Sequence, residues 1–249
     1  MPVLPDISAF ELATIVALAA FSAIAGGVAG YGTGALMPLI LVPMLGAAPV
    51  VPIIAISAMF TNSARVVAFR RFADRRRAAL ALVCALPTCV LGAYAYTLLN
   101  GRGAALVIGA SLIATVPLRR LLKRRGHRLG DKSFAAASAG WGVVVGGTTG
   151  AGVILLSLLM AVGLQGGAVI ATDALVSIGM GVVKLAVFAA AGVLTTKVIA
   201  IGLLISAVAF PATFLAKLIV ERLPGHVHTA LLDAVVIVGG AMMIFGAVR

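Results

Sequence analysis

The chain has 249 residues, 62% of them hydrophobic and only 10% charged, with a mean hydropathy of +1.20. A soluble domain needs far more polar surface, so most of the exterior must face lipid. At roughly 20 residues per spanning helix, the length suits one bundle of several spans. The net charge of +12 excludes a nucleic-acid partner by its distribution: most basic residues fall into two clusters, Arg70, Arg71, Arg75, Arg76 and Arg77, then Arg119, Arg120, Lys123, Arg124, Arg125, Arg128 and Lys132.

The first apolar segment, 7–25, follows Asp6 and is interrupted only by Glu11, with no Lys or Arg before it; a secretory signal would start basic, so this reads as a retained helix. Next comes the stretch GGVAGYGTGALMP, residues 26–38, with five glycines and a proline inside lipid-soluble sequence. Apolar segments follow at 35–45 and 50–69, the latter containing Ser57, Asn62 and Arg65, with Asn62 one turn before Arg65. Beyond the first basic cluster lie segments 78–98 and 104–118. Cys84 and Cys89 in the former do not share a helix face, and no further pair exists to complete a metal site. An even number of spans between the two basic clusters places both on one side, the cytoplasmic side by the positive-inside rule.

After the basic run 119–133 come segments 134–145, 153–164, 168–191, 198–219 and 229–248. A second glycine-rich stretch, VGGTTGAGVILLSLL at 145–159, interrupts the apolar sequence as the first one does. Sliding the chain by 120 positions aligns the two without a gap: Gly26, Gly27, Gly30 and Gly32 meet Gly146, Gly147, Gly150 and Gly152, and Ser57 meets Ser177. One position off that register, Arg65 falls beside Lys184. The expected organisation is therefore a first membrane repeat at 1–118, a basic cytoplasmic linker at 119–133 and a second repeat at 134–249. The fold class is an all-α polytopic membrane protein with about five segments per half. If all ten segments cross, the second half is inverted and both termini lie outside; if 35–45 and 153–164 dip in and return, eight spans remain and the halves are parallel. The inverted version is preferred because it fits the uncharged N-terminal flank and the usual transporter plan.

Paired helix breaks in corresponding positions point to a transporter's binding site. In hydrocarbon an unpaired backbone group costs several kcal/mol, so a break persists only where protein or a water-filled cavity covers it. A break also creates a helix N-terminus whose free N–H groups attract anions, and glycine lets the backbone approach such a ligand. The competing reading is a small-residue stripe for helix packing at Gly26, Gly30 and Gly34. Ionisable residues within spans are functional candidates by default. Asp173 and Lys184 share a segment, about 16 Å apart along one face, too far for a direct ion pair. Each needs another partner, water or substrate: Lys184 suits an anion, and Asp173 either a coupling proton or, close to the Gly166-Gly167 turn, the place of an ordinary helix-start carboxylate at an aqueous interface. Arg65 reaches either the interface or the site. Thr148, Thr149, Ser57 and Ser177 offer hydroxyl donors. His226 and His228 read as solvated rather than metal-bound, and Trp141, Tyr31, Tyr94 and Tyr96 as interface anchors or packing.

At Gly30-Tyr31-Gly32-Thr33-Gly34-Ala35-Leu36-Met37-Pro38 the chain resembles the sulfite exporter TauE/SafE family, also called the sulfonate uptake permease family. That family carries a duplicated glycine-rich motif ending in proline early in each half. Here Thr33 replaces the middle glycine and the proline comes one position early. The second half keeps Gly150 and Gly152, but has Val153 and Ile154 where glycine is expected, and no proline. The resemblance implies a multi-pass protein of the cytoplasmic (inner) membrane that transports small sulfur-containing or organic anions such as sulfite, sulfonates or sulfoacetate. The candidate substrate-binding set is Gly30, Gly32, Thr33, Gly34, Ser57, Asn62, Arg65, Thr148, Thr149, Gly150, Gly152, Ser177 and Lys184, with Asp173 as the proton-coupling candidate. No cofactor or metal is expected. No nucleotide-binding P-loop is present, so an ion or substrate gradient, protons among the candidates, drives transport by alternating access. Partners are the substrate anion and the bilayer, with homo-oligomerisation left open. The alternatives are an anion channel and a non-transporting assembly protein. An enzyme is not expected: Ser111 is the one candidate nucleophile considered, and no histidine lies in any span to serve it.

Overall fold

The computed structural model describes residues 8–29, 32–124, 129–220 and 225–248, apart from the side chains at 9, 25–29, 32, 119, 122–124, 213–220 and 225–235. It is an all-α polytopic membrane protein; among the described residues there is no strand. The helices are α1 (Ala9–Ala29), α2 (Gly32–Leu36), α3 (Pro38–Leu45), α4 (Val50–Phe69), α5 (Arg75–Thr97), α6 (Gly101–Arg124), α7 (Asp131–Gly147), α8 (Gly152–Ala161), α9 (Gly167–Ala190), α10 (Thr196–Val220) and α11 (Gly225–Val248), with a short 3-10 turn at Arg70–Phe72. Within the described residues four stretches are long and apolar enough to cross a membrane: Val50–Phe72, Arg75–Thr97, Gly101–Leu118 and Gly167–Ala190.

Two features depart from the expected segment plan. Helix α6 continues through the basic run to Arg124 instead of ending at 118, and α7 starts at Asp131. Helices α1 and α7 also run straight through Gly26-Gly27 and Gly146-Gly147, so the breaks begin later than the glycines do. Glycine in a helix costs only about 1 kcal/mol. An unpaired backbone group in hydrocarbon costs more, so the coil persists until its carbonyls find other donors.

Helix α8 has 10 residues, about 15 Å, and cannot cross a core of about 30 Å. It returns beside the start of α7, where the Leu129 amide donates to the Ala161 carbonyl (2.9 Å). Helices α7 and α8 thus form a hairpin that enters and leaves at the basic end of the bundle. There Arg76 (2.7 Å) and Arg77 both donate to Asp131, and the Asp74 amide donates to the Thr172 hydroxyl (2.9 Å). Helix α1 with α2 and α3 forms a second hairpin based at the opposite end, where Glu11 shares a cavity wall with Met44 and Leu45. At that end Tyr96 donates to the Ala47 carbonyl (2.8 Å), a buried packing role; Tyr94 is exposed. Tyr31 lies outside the described residues, as do the side chains of His226 and His228.

Six long helices surround the hairpins. Helix α5 packs on α7 and α9, α1 on α10, α4 on α9 and α10, and α6 on α11. The α5–α7 seam is the closest approach: a methyl added at Gly92 would strike the Val143 carbonyl, and one at Gly146 the Cys89 carbonyl. Cys89 is buried here, and both cysteines are free thiols. The core divides into a cluster around α4 with the first hairpin and another around α5, α7, α8 and α9.

Candidate anion site

The two hairpin tips meet in the interior. Pro38 has no N–H, so the Gly34 carbonyl four residues earlier loses its helical donor. The Thr149 hydroxyl, from the other tip, donates to that oxygen instead. Contact between the tips is backbone on backbone: a methyl at Gly34 would stand 3.2 Å from the Gly150 nitrogen, and one at Gly150 would stand 3.3 Å from the Ala35 Cα. Gly150 also has φ +81°, a conformation that other residues adopt only at a cost. Gly152 differs, since nothing lies within 4 Å of where its Cβ would be.

The second tip is held by side chains. Lys184 donates from its ammonium to the Val145 (2.8 Å) and Thr148 (2.9 Å) carbonyls, placing a positive charge where the α7 dipole ends negatively. Of its three N–H bonds, two are thereby used and one is left for the cavity. Trp141 donates from its indole to the Ala151 carbonyl (2.9 Å). It is a buried brace for the tip, the packing role of the two that the sequence left open. Its signal was positional: Trp141, Val145 and Thr148 recur at i, i+4 and i+7, one face of α7 leading into the break. No side chain caps α8, and the Gly152 and Val153 amides have no acceptor among the described residues.

Beside the tips lies a cavity of about 130 Å³, room for several waters or one compact anion. It is walled by α4, the α7–α8 tip and α9, with α1 and α2 closing one side. Of the sequence candidates, Thr33, Gly34, Asn62, Arg65, Thr148, Thr149, Gly150, Gly152, Asp173, Ser177 and Lys184 line it. Ser57 does not: it is fully buried in α4, away from the wall, and its hydroxyl has no partner among the described residues. Gly30 lies outside the described residues, and Gly32 is described only as the first backbone residue of α2. A five-residue helix such as α2 has too few aligned peptides to hold an anion at its start, so the two breaks are not equivalent.

Asp173 finds its partner across the cavity. Its Oδ2 is 4.0 Å from Arg65 Nη1, beyond hydrogen-bond length, and its Oδ1, buried, has no hydrogen-bond partner among the described residues. It sits in the second turn of α9 and not at its cap, because Gly166 occupies that position. Arg65 is thereby drawn inward to the carboxylate, with only 18% of its side chain exposed.

The family described as Sulfite exporter TauE/SafE matches residues 15–243, most of the chain. The chain belongs to the TauE/SafE family. TauE/SafE proteins are membrane transporters of sulfite and related sulfur anions, a class that points away from enzymatic chemistry. The TauE/SafE match takes in the whole second hairpin, the first from residue 15 onward, and every described lining residue of the cavity. No curated protein and no solved structure matches the chain.

Proposed function

We propose that the protein is a secondary transporter that carries a small sulfur-containing or organic anion across the cytoplasmic (inner) membrane by alternating access, with Asp173 as the candidate site for a coupling proton. The observation that carries this is the convergence of both hairpin tips with Lys184 and Arg65 on one cavity. Gly152, at the uncapped start of α8, and Lys184 both line a volume suited to one compact oxyanion. Arg65 adds a second cation on the opposite wall. The basic end, carrying Arg70, Arg71 and Arg75 to Arg77, is the cytoplasmic end by the positive-inside rule.

An inverted duplication supports alternating access. Exchanging α1 with α7, α2 and α3 with α8, α4 with α9, α5 with α10 and α6 with α11 maps the main helix pairings onto themselves. It also carries a hairpin based at one end into a hairpin based at the other, the geometry from which a site opens to either side in turn. Glu11 and Asp131, the acids that begin the two hairpins, fall in the same 120-residue register as the glycines.

Uptake of labelled sulfite, methanesulfonate and sulfoacetate into proteoliposomes, with and without an imposed pH gradient, tests the reading. Saturable uptake that Lys184→Met abolishes is expected. Linear, unsaturating flux would indicate a channel, and no flux of any of the three anions would reject transport of this class.

A further inference from the structure

We infer that the charge balance of the cavity decides what travels with the substrate: a singly charged oxyanion enters with Asp173 ionised, whereas a doubly charged one brings a proton that settles on Asp173. This rests on the reading of the cavity as the transport site.

Among the described lining residues three are charged, namely Arg65, Lys184 and Asp173, leaving the empty cavity with one net positive charge. That matches one negative charge on a ligand. A second would be buried without a counter-charge, which a low-dielectric interior strongly opposes. Neutralising the sole acid restores the balance, because two cations then face two negative charges.

Geometry makes Asp173 the group able to do this. The carboxylate is 3% exposed, its contact with Arg65 is 4.0 Å and purely coulombic, and Oδ1 is unpartnered and free to receive a proton. Asp74, whose amide donates to Thr172 beside Asp173, holds its carboxylate at the start of α5, where it accepts from the Arg77 amide (2.9 Å), and the Arg76 and Arg77 side chains donate to Asp131. Helix α4 offers Arg65, the 3-10 turn offers exposed Arg70 and Arg71, and α5 offers the Cys89 thiol, which turns to the Met180 carbonyl (4.0 Å). Helix α8, Gly152–Ala161, holds no titratable residue, and α7 has none between Lys132 and its tip. Lys184 is committed to two carbonyls of the α7 tip, which it meets as a donor. Arg65 remains charged in either state, so protonation turns it from Asp173 towards the incoming anion.

The test is calorimetric binding to the purified full-length protein at mildly alkaline pH. Titrations in buffers of different ionisation enthalpy give the protons taken up per ligand, with methanesulfonate as the singly charged probe and sulfoacetate as the doubly charged one. Wild type should take up about one proton with sulfoacetate and about none with methanesulfonate. Asp173→Asn should bind sulfoacetate without proton uptake and on the order of tenfold more tightly than wild type at that pH. Equal uptake with both probes in wild type overturns the inference whether or not the variant folds, as does undiminished uptake in Asp173→Asn. Failure of wild type to bind either probe would overturn the site reading along with it.

Discussion

Gly150→Ala isolates the contact between the hairpin tips. At φ +81° a Cβ costs about 1–2 kcal/mol on conformational grounds alone. The added methyl would also stand 2.9 Å from Leu112 Cδ2, which can rotate away, and 3.3 Å from the Gly34 carbonyl and the Ala35 Cα, which cannot. A total of about 2 kcal/mol, or a factor of about 30 in the folding or binding equilibrium, is expected. Gly152→Ala is the control: it lies two residues away on the same cavity wall, but its methyl meets nothing within 4 Å. Thermal unfolding of the two variants in detergent, with and without sulfite, measures the difference. Equal stabilities would refute the reasoning, since they would mean that neither the backbone angle nor the tip contact constrains position 150.

Three further outcomes follow from the bonds at the tips. Thr149→Val leaves the Gly34 oxygen unpaired and should cost about 1 kcal/mol. Adding Pro38→Ala restores a helical N–H to that oxygen and should recover the loss, a coupling that a double-mutant cycle of unfolding free energies would detect. Trp141→Phe keeps the ring but removes the donor to the Ala151 carbonyl; about 1 kcal/mol of stability and a several-fold loss of sulfite affinity are expected, read by unfolding and calorimetry. Lys184→Met removes the cap from α7 and the nearest cation from the cavity together, and uptake should fall by at least about 100-fold while Lys184→Arg retains part of it.

The sequence made the helices legible because period and punctuation in lipid are severe: ten apolar segments were expected, and each has a helical counterpart, with Pro38 dividing the short second one into α2 and α3. The positions of the breaks were legible to within a few residues. What the breaks are for was only half legible. Glycine at 34 and 150 was expected to admit a ligand, yet each also admits the other tip, a contact between residues 115 apart that periodicity does not encode. The pairing of Arg65 with Asp173 escaped for the same reason, since each residue belongs to a different helix and only the α4–α9 packing brings them across the cavity. Ser57 illustrates the converse: its alignment with Ser177 was real, but a helix rotates successive residues by about 100°, and position 57 faces the core.

The glycine seam between α5 and α7 settles what could shift as a unit. Gly92 and Gly146 let helices from the two halves of the polypeptide lie carbonyl against Cα, so the second hairpin is fastened to α5 more intimately than to its own sequence neighbours. The first hairpin is lodged in the same crosswise manner against α10. Cutting the polypeptide between α6 and α7 would therefore yield two interlocked fragments, neither with a complete interior of its own. Any rocking motion would carry bodies stitched from both.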